Sequence, residues 1–176
     1  LALRQFGRLD ILYNNAGRES RYTLTETTEE EWDLTLAVNL KGVYNGCRAA
    51  LPAMIAGGGG SIINVASTLG LASGPQHAAY SAAKAGIINF TRYLNLELRN
   101  SGVRACCVIP GEVDTPILEK RPVVPSSEAR ATMLSPDDVA EVIVLAVTLP
   151  HRALLEEVVV RPRHSRDFSA ELAKPY

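Results

Sequence analysis

In the stretch "HAAYSAAKAG", His77 to Gly86, a phenol and an ammonium stand four residues apart among alanines and glycines. On a helix Tyr80 and Lys84 lie one turn apart on the same face, with roughly 5–6 Å between their Cβ atoms. A cation about 5 Å from a phenol, at an effective dielectric near 20, stabilises the phenolate by roughly 3 kcal/mol. The pairing is therefore expected to lower the Tyr80 pKa and to let the phenol exchange a proton near neutral pH. A surface Tyr-Lys pair is the plain alternative. What shifts the balance is Ser67, thirteen residues ahead of Tyr80 in "INVASTLGLASG", because a hydroxyl at the carboxyl end of a strand can fold back toward the start of the next helix.

The elements that must hold these groups are legible as alternating strands and helices. Leu9 to Tyr13, Ser61 to Ala66, Val103 to Ile109 and Glu157 to Val160 are short apolar runs without clean alternation, the pattern of parallel strands covered on both faces. Between them, a helix from about Thr28 to Ile55 opens on "TTEEEW", with a threonine cap and acidic residues at the positive end of the dipole. A second helix is predicted from about Gln76 to Asn100, stopping at "NSG". A third opens on "SPDD", with Ser135 as cap, Pro136 at the first helical position and Asp138 in the capping-box position, and closes before Pro150. Strands alternating with helices imply right-handed crossovers and a three-layer α/β domain, 1–176, with one parallel sheet. Thr115 to Leu134, with Pro116, Pro122 and Pro125, has no periodicity and reads as a loop or short helices after a strand's carboxyl end, where such sheets bind ligands.

Composition narrows the partners. Eighteen basic and 19 acidic residues leave a formal charge of −1, so no global field attracts nucleic acid or an anionic membrane. The basic tail Arg161 to Arg166 reads as a solvated terminus. No apolar run approaches the ~20 residues of a bilayer span, and a cytoplasmic location is expected. Cys47, Cys106 and Cys107 have no zinc-ligand spacing and read as reduced core thiols; His77, His151 and His164 form no metal-ligand pattern, and Trp32 reads as packing.

Five segments in order, "NNAG" (Asn14 to Gly17), "VNLKG" (Val38 to Gly42), "NVAS" (ending at Ser67), "YSAAK" (Tyr80 to Lys84) and "PGEVDTP" (Pro110 to Pro116), resemble the short-chain dehydrogenases/reductases. The resemblance implies a Rossmann-like doubly wound sheet and an NAD(P)-dependent oxidoreductase interconverting a secondary alcohol and a carbonyl. It implies Tyr80 as general acid/base, Lys84 as the group that lowers the Tyr80 pKa and holds the nicotinamide ribose, and Ser67 as hydrogen-bond partner of the substrate oxygen. Asn39 would anchor a water that extends the proton path. Asn14, Ala16 and Gly17 would border the adenosine side of the cofactor, while Pro110, Gly111, Val113 and Thr115 would line its nicotinamide and pyrophosphate side. Each has a plainer reading: Asn39 as an ordinary helix polar residue, Ser67 as a turn cap, the asparagines as braces between loops.

The chain departs from the family in one respect. The glycine-rich phosphate turn and the strand whose end selects NAD or NADP are absent, so the choice of dinucleotide stays open and the chain reads as the C-terminal part of a truncated domain. "GGGG", Gly57 to Gly60, precedes a strand, whereas phosphate turns follow one; it reads as a flexible turn. The family likeness also implies a small-molecule alcohol or carbonyl as partner and a homodimer or homotetramer through the alanine-rich Tyr80 helix. The alternatives are a non-catalytic member that keeps the sheet without the chemistry, against which retention of Asn39, Ser67, Tyr80 and Lys84 together argues, and an inactive fragment.

Overall fold

The computed structural model describes residues 1–121 and 123–164. Four parallel strands, β1 (Ile11–Asn14), β2 (Gly60–Val65), β3 (Val103–Pro110) and β4 (Glu157–Val160), form one sheet in the order β1-β2-β3-β4. The strand expectations hold to within a residue or two. Of the basic tail, the last two residues lie outside the described residues, as does Pro122 of the proline-marked segment.

A short helix α1 (Ala2–Phe6) precedes β1. The long helix expected after it is three pieces in series: α2 (Glu29–Leu36), a π-helical turn Ala37–Lys41, and α3 (Gly42–Ala56). The Thr28 hydroxyl accepts the Glu31 N–H at its start, as the sequence suggests. α4 (Ala78–Glu97) carries the Tyr-Lys pair, α5 (Ser127–Arg130) is a single turn, and α6 (Pro136–Thr148) begins in a complete Ser135–Asp138 capping box. Short 3₁₀ turns occupy Thr68–Gly70 and Pro116–Lys120.

The core has two halves, one on each face of the sheet. On one face α3 and α4 cover Ile62, Ala105, Cys107 and Ile109, with Met54, Ile87 and Leu94 buried between. On the other, α6 packs Val139 and Ala146 against Ile63, Cys106 and Val108. This arrangement overturns one expectation. All three crossovers step one strand in the same direction, yet their helices lie on opposite faces, so α6 makes a connection of opposite hand to the other two. Right-handed units being strongly preferred, the left-handed one is β3 to β4. Its cause is visible in the packing: α4, 20 residues long, already occupies the β3 face on its side and pairs through Arg92 with Glu157 of β4, leaving the Ile63, Cys106 and Val108 face for α6.

The cysteines are free and buried, and burial pushes Cys47 and Cys106 to about 11 and Cys107 to about 12. No described helix is long and apolar enough to cross a membrane.

Candidate active site

At the carboxyl ends of the strands lies a cleft of about 740 Å³, lined by Ser67, Tyr80 and Lys84 among others. That volume is within the usual range for a small-molecule site, roughly 300–1,000 Å³. Three local structures build it. β2 ends with the Ala66 N–H donating to the Val108 carbonyl at 2.8 Å. Ser67 then caps the 3₁₀ turn, its hydroxyl accepting the Leu69 N–H at 3.2 Å, and it is also hydrogen-bonded to the Tyr80 phenol. Ser67 thus fills the turn-cap role of its plainer reading while lining the same cleft as Tyr80.

Tyr80 and Lys84 face the cleft from the first turns of α4. The ammonium lies 5.6 Å from the Tyr80 ring centroid and donates to the Val65 carbonyl at 2.8 Å. Lys84 is only 4% exposed, and this burial lowers its pKa to about 8, against a small opposing pull from Cys107. Tyr80 departs from expectation: its pKa is raised. Burial is the largest cause, the Ser67 hydrogen bond opposes it, the charge of Glu19 adds to it and that of Arg121 subtracts. Helical spacing brings the cation close, but the cost of taking both partners out of water is the larger effect.

Asn39 sits fully buried in the π-helical turn. Its Nδ2 donates to the Arg18 and Thr35 carbonyls, each at 3.0 Å, and its Oδ1 accepts the Arg18 N–H at 3.2 Å. The side chain therefore anchors the loop after β1 to the helix. That loop passes close: a Cβ on Gly17 would stand 2.8 Å from Asn39 Oδ1 and 3.7 Å from Lys84 Nζ, so the approach requires glycine.

Gly17, Pro110, Gly111, Val113 and Thr115 all line the cleft. Gly111 is pinned by its N–H to the Val160 carbonyl at 2.7 Å, and Val113 bridges to Leu134. The Thr115 hydroxyl makes no capping bond to the turn it precedes. Asn14 and Ala16 are not among the lining residues. The Asn14 amide turns toward α3 and donates to Asn64 Oδ1 at 2.9 Å, with Asn64 in turn bonded to Thr91 at 3.0 Å, so Asn14 braces β1, β2 and α4; Asn15 faces the cleft in its place.

Sequence reasoning missed a charged cluster beside Tyr80. The Glu19 carboxylate receives Arg21 at 2.8 Å, His77 at 3.5 Å and Arg121 at 3.7 Å, and Arg121 also pairs with Glu112 at 2.6 Å. Burial alone would raise the Glu19 carboxyl; hydrogen bonds from His77 and Arg21 and the charges of Arg121 and Arg21 outweigh it and hold the group at about 2. The only signals were positional, Glu19 two residues beyond "NNAG" and His77 three before Tyr80.

The model of the short chain dehydrogenase family matches residues 1–123. The chain belongs to that family. The 3-oxoacyl-[acyl-carrier-protein] reductase FabG of Thermotoga maritima is 39% identical over 150 residues, covering 80% of this chain and 59% of that protein. An uncharacterised oxidoreductase of Staphylococcus aureus strain N315 is 36% identical over 162 residues, 92% of this chain and 68% of the relative. Among solved structures, an alcohol dehydrogenase from the archaeon Thermococcus sibiricus, complexed with 5-hydroxy-NADP, superposes with a TM-score of 0.81 at 28% identity, over 94% of this chain and 68% of the other. A metagenomic short-chain oxidoreductase in complex with NADP gives 0.76 at 35% identity, over 93% and 66%. This dehydrogenase-family chain thus spans about three fifths to two thirds of the length of the relatives it matches, and its parallel sheet with helices on both faces is the Rossmann-like architecture they share.

Proposed function

We propose that this chain carries the proton-transfer centre of an NAD(P)-dependent oxidoreductase that interconverts a secondary alcohol and a carbonyl. The observation that carries the reading is the convergence of Ser67, Tyr80 and Lys84 in one cleft at the carboxyl ends of the strands. In the reductive direction the Tyr80 phenol gives its proton to the carbonyl oxygen while the Ser67 hydroxyl holds that oxygen in place. The phenolate left behind is stabilised by Lys84, whose ammonium is kept in position by the Val65 carbonyl. In oxidation the same proton returns to Tyr80. The raised Tyr80 pKa keeps the phenol protonated at neutral pH, the form needed to donate.

A nicotinamide dinucleotide, when bound, supplies or accepts the hydride that balances this proton. The residues fit its nicotinamide end: Gly17 lets the loop after β1 lie against Asn39 and Lys84 at the cleft wall, and Thr115 offers a hydroxyl not spent on its own turn. Lys84 and Tyr80 would hold the ribose, and Pro110, Gly111, Val113 and Thr115 the carboxamide and pyrophosphate side. Solved members of the family contain NADP, which favours NAD or NADP here without choosing between them. Among the described residues no glycine-rich turn joins a strand to the helix after it, so weak dinucleotide affinity is expected of these residues alone. Absorbance at the reduced-nicotinamide band with small alcohols and carbonyls, beside Tyr80→Phe, tests the reading: turnover abolished by the substitution supports it. Absence of turnover with every pair, in a folded protein that binds neither dinucleotide, would favour a non-catalytic member.

The homo-oligomer through α4 belongs to the same proposal. Ala79 and Ala83 are buried within the protomer and Gly86 faces Leu40, while Ala82 and Ala85 stay exposed. The outer face also offers Tyr44, Phe90 and Tyr93 as a run of ring contacts, with Tyr93 and Leu96 more than half exposed. A solution mass of a monomer would count against it.

A further inference from the structure

His77 precedes α4 and lies three residues ahead of Tyr80, so their rings share a helical face and meet edge to face at 6.2 Å. Both ring nitrogens of His77 look at acceptors. Nδ1 is 2.6 Å from the Pro75 carbonyl and Nε2 is 3.5 Å from the Glu19 carboxylate. The ring is therefore held from two sides, one local and one from the loop after β1. That loop is docked here by backbone as well: the Tyr22 N–H donates to the Gln76 carbonyl at 3.0 Å, and Tyr22 bridges to His77. Gln76 adopts φ 64°, a left-handed conformation rare for a residue with a side chain. Such a backbone persists where surroundings over-determine it, and here it turns His77 toward Glu19.

Glu19 is itself buried to 15% exposure among Arg21, His77 and Arg121. The groups that face Tyr80 are thus Ser67 from the end of β2, His77 just before its helix and Lys84 on it, Glu19 from the loop after β1, and Arg121 from the segment after β3. Of these, Glu19 alone brings a negative charge, and Arg121 and Arg21 hold it in place.

We propose that Glu19 is a positioning residue for the candidate acid Tyr80: through its contact with the His77 ring nitrogen it fixes that ring against the phenol, and it holds a carboxylate, paired with Arg21 and Arg121, in the same cleft. This rests on Tyr80 being the proton donor for its catalytic meaning, while the physical coupling stands without it. Glu19→Gln removes the charge and leaves the two arginines less compensated; both changes stabilise phenolate, so Tyr80 ionises at lower pH. Glu19→Asp draws the carboxylate back by one methylene and moves Tyr80 the same way by less.

The test uses the whole chain labelled with ¹³C at tyrosine Cζ, whose six tyrosines are sorted by a Tyr80→Phe spectrum. The Tyr80 signal is followed with pH over the range in which the wild type stays folded. A lower transition in Glu19→Gln, with Glu19→Asp between it and wild type, is expected. Should Glu19→Gln fail to fold, the shift in Glu19→Asp decides. A Tyr80 transition that coincides with wild type in every folded variant overturns the proposal. In a turnover assay Glu19→Gln is expected to lower kcat about ten-fold with KM within about two-fold, the mark of an interaction felt in the transition state. A shifted Tyr80 without turnover in any protein would leave the positioning intact and remove the oxidoreductase reading. Turnover with an unshifted Tyr80 would remove the positioning alone.

Discussion

The two ends of the sheet hold cavities of nearly equal size, about 770 Å³ beside the amino ends and about 740 Å³ beside the carboxyl ends, yet they are put to different use. At the amino end Arg104 spends its donors on neutral oxygens: Ser61 Oγ and the carbonyls of Val147, Leu149, Pro150 and Ala153, at 2.8–3.1 Å. Its charge sits against the C-terminal turn of α6, where the helix dipole favours a cation. Beside it Gly59, at φ 132°, packs so tightly on the Gly102 backbone that a side chain would not fit. At the carboxyl end charges answer charges, and two titrating groups are displaced in opposite senses, Tyr80 upward and Lys84 down to about 8. Volume does not separate a structural end from a chemical one. What separates them is the kind of partner: neutral oxygens take up the Arg104 guanidinium at one end, while Glu19, Arg21, Glu112 and Arg121 pair charge with charge at the other.

The sharpest way to break this contrast is at Tyr80. Removing the hydroxyl in Tyr80→Phe is expected to cost about 10³-fold in turnover, some 4 kcal/mol of transition-state stabilisation, with the melting temperature close to wild type. A large loss of stability instead would make the phenol a structural group like Arg104.

Lys84 sharpens the comparison through pH. Its folded pKa lies below its unfolded value, so the unfolded chain binds the proton more tightly, and stability rises as pH climbs from about 8 toward 10.5. The gap corresponds to roughly 3 kcal/mol, present as a penalty at neutral pH. Denaturant titrations from pH 7 to 10 should show Lys84→Met gaining its greatest relative stability at pH 7, with the advantage shrinking above 8. A constant difference across that range would mean the ammonium is not penalised by burial.

At the opposite end Arg104→Met leaves four carbonyls and a hydroxyl short of a donor. A loss of about 2 to 3 kcal/mol is expected, read as a lower denaturant midpoint, with any turnover per folded molecule unchanged. Altered kinetics there would couple the two ends. The smallest effect belongs to Thr28→Ala, which touches neither cavity and removes one cap at the start of α2; about 1 kcal/mol of stability should go. A thermal melt indistinguishable from wild type would show the cap replaced by water.

Much of this architecture was readable in the residues. Val103 to Ile109 and Ser61 to Ala66 could bury only as strands covered on both faces, and Thr28 and Ser135 marked helix starts because a side-chain oxygen is the available partner for an orphan N–H. Ser67, Tyr80 and Lys84 were legible because helical spacing and a strand end place them close in any fold of this pattern. Asn14 was not, since alternation along a strand says that its side chain opposes that of Tyr13 and not which face holds the cleft.

The sequence by itself determined the elements, their order and the residue types at the centre, since periodicity, caps and short-range spacing are local properties. Tertiary structure decided the rest. It put α6 on the second face because α4 had filled the first, gathered Glu19, His77 and Arg121 from three separated segments, and turned the expected fall of the Tyr80 pKa into a rise. Each of these depends on burial and on charges distant in sequence, which exist only once the chain has closed around them.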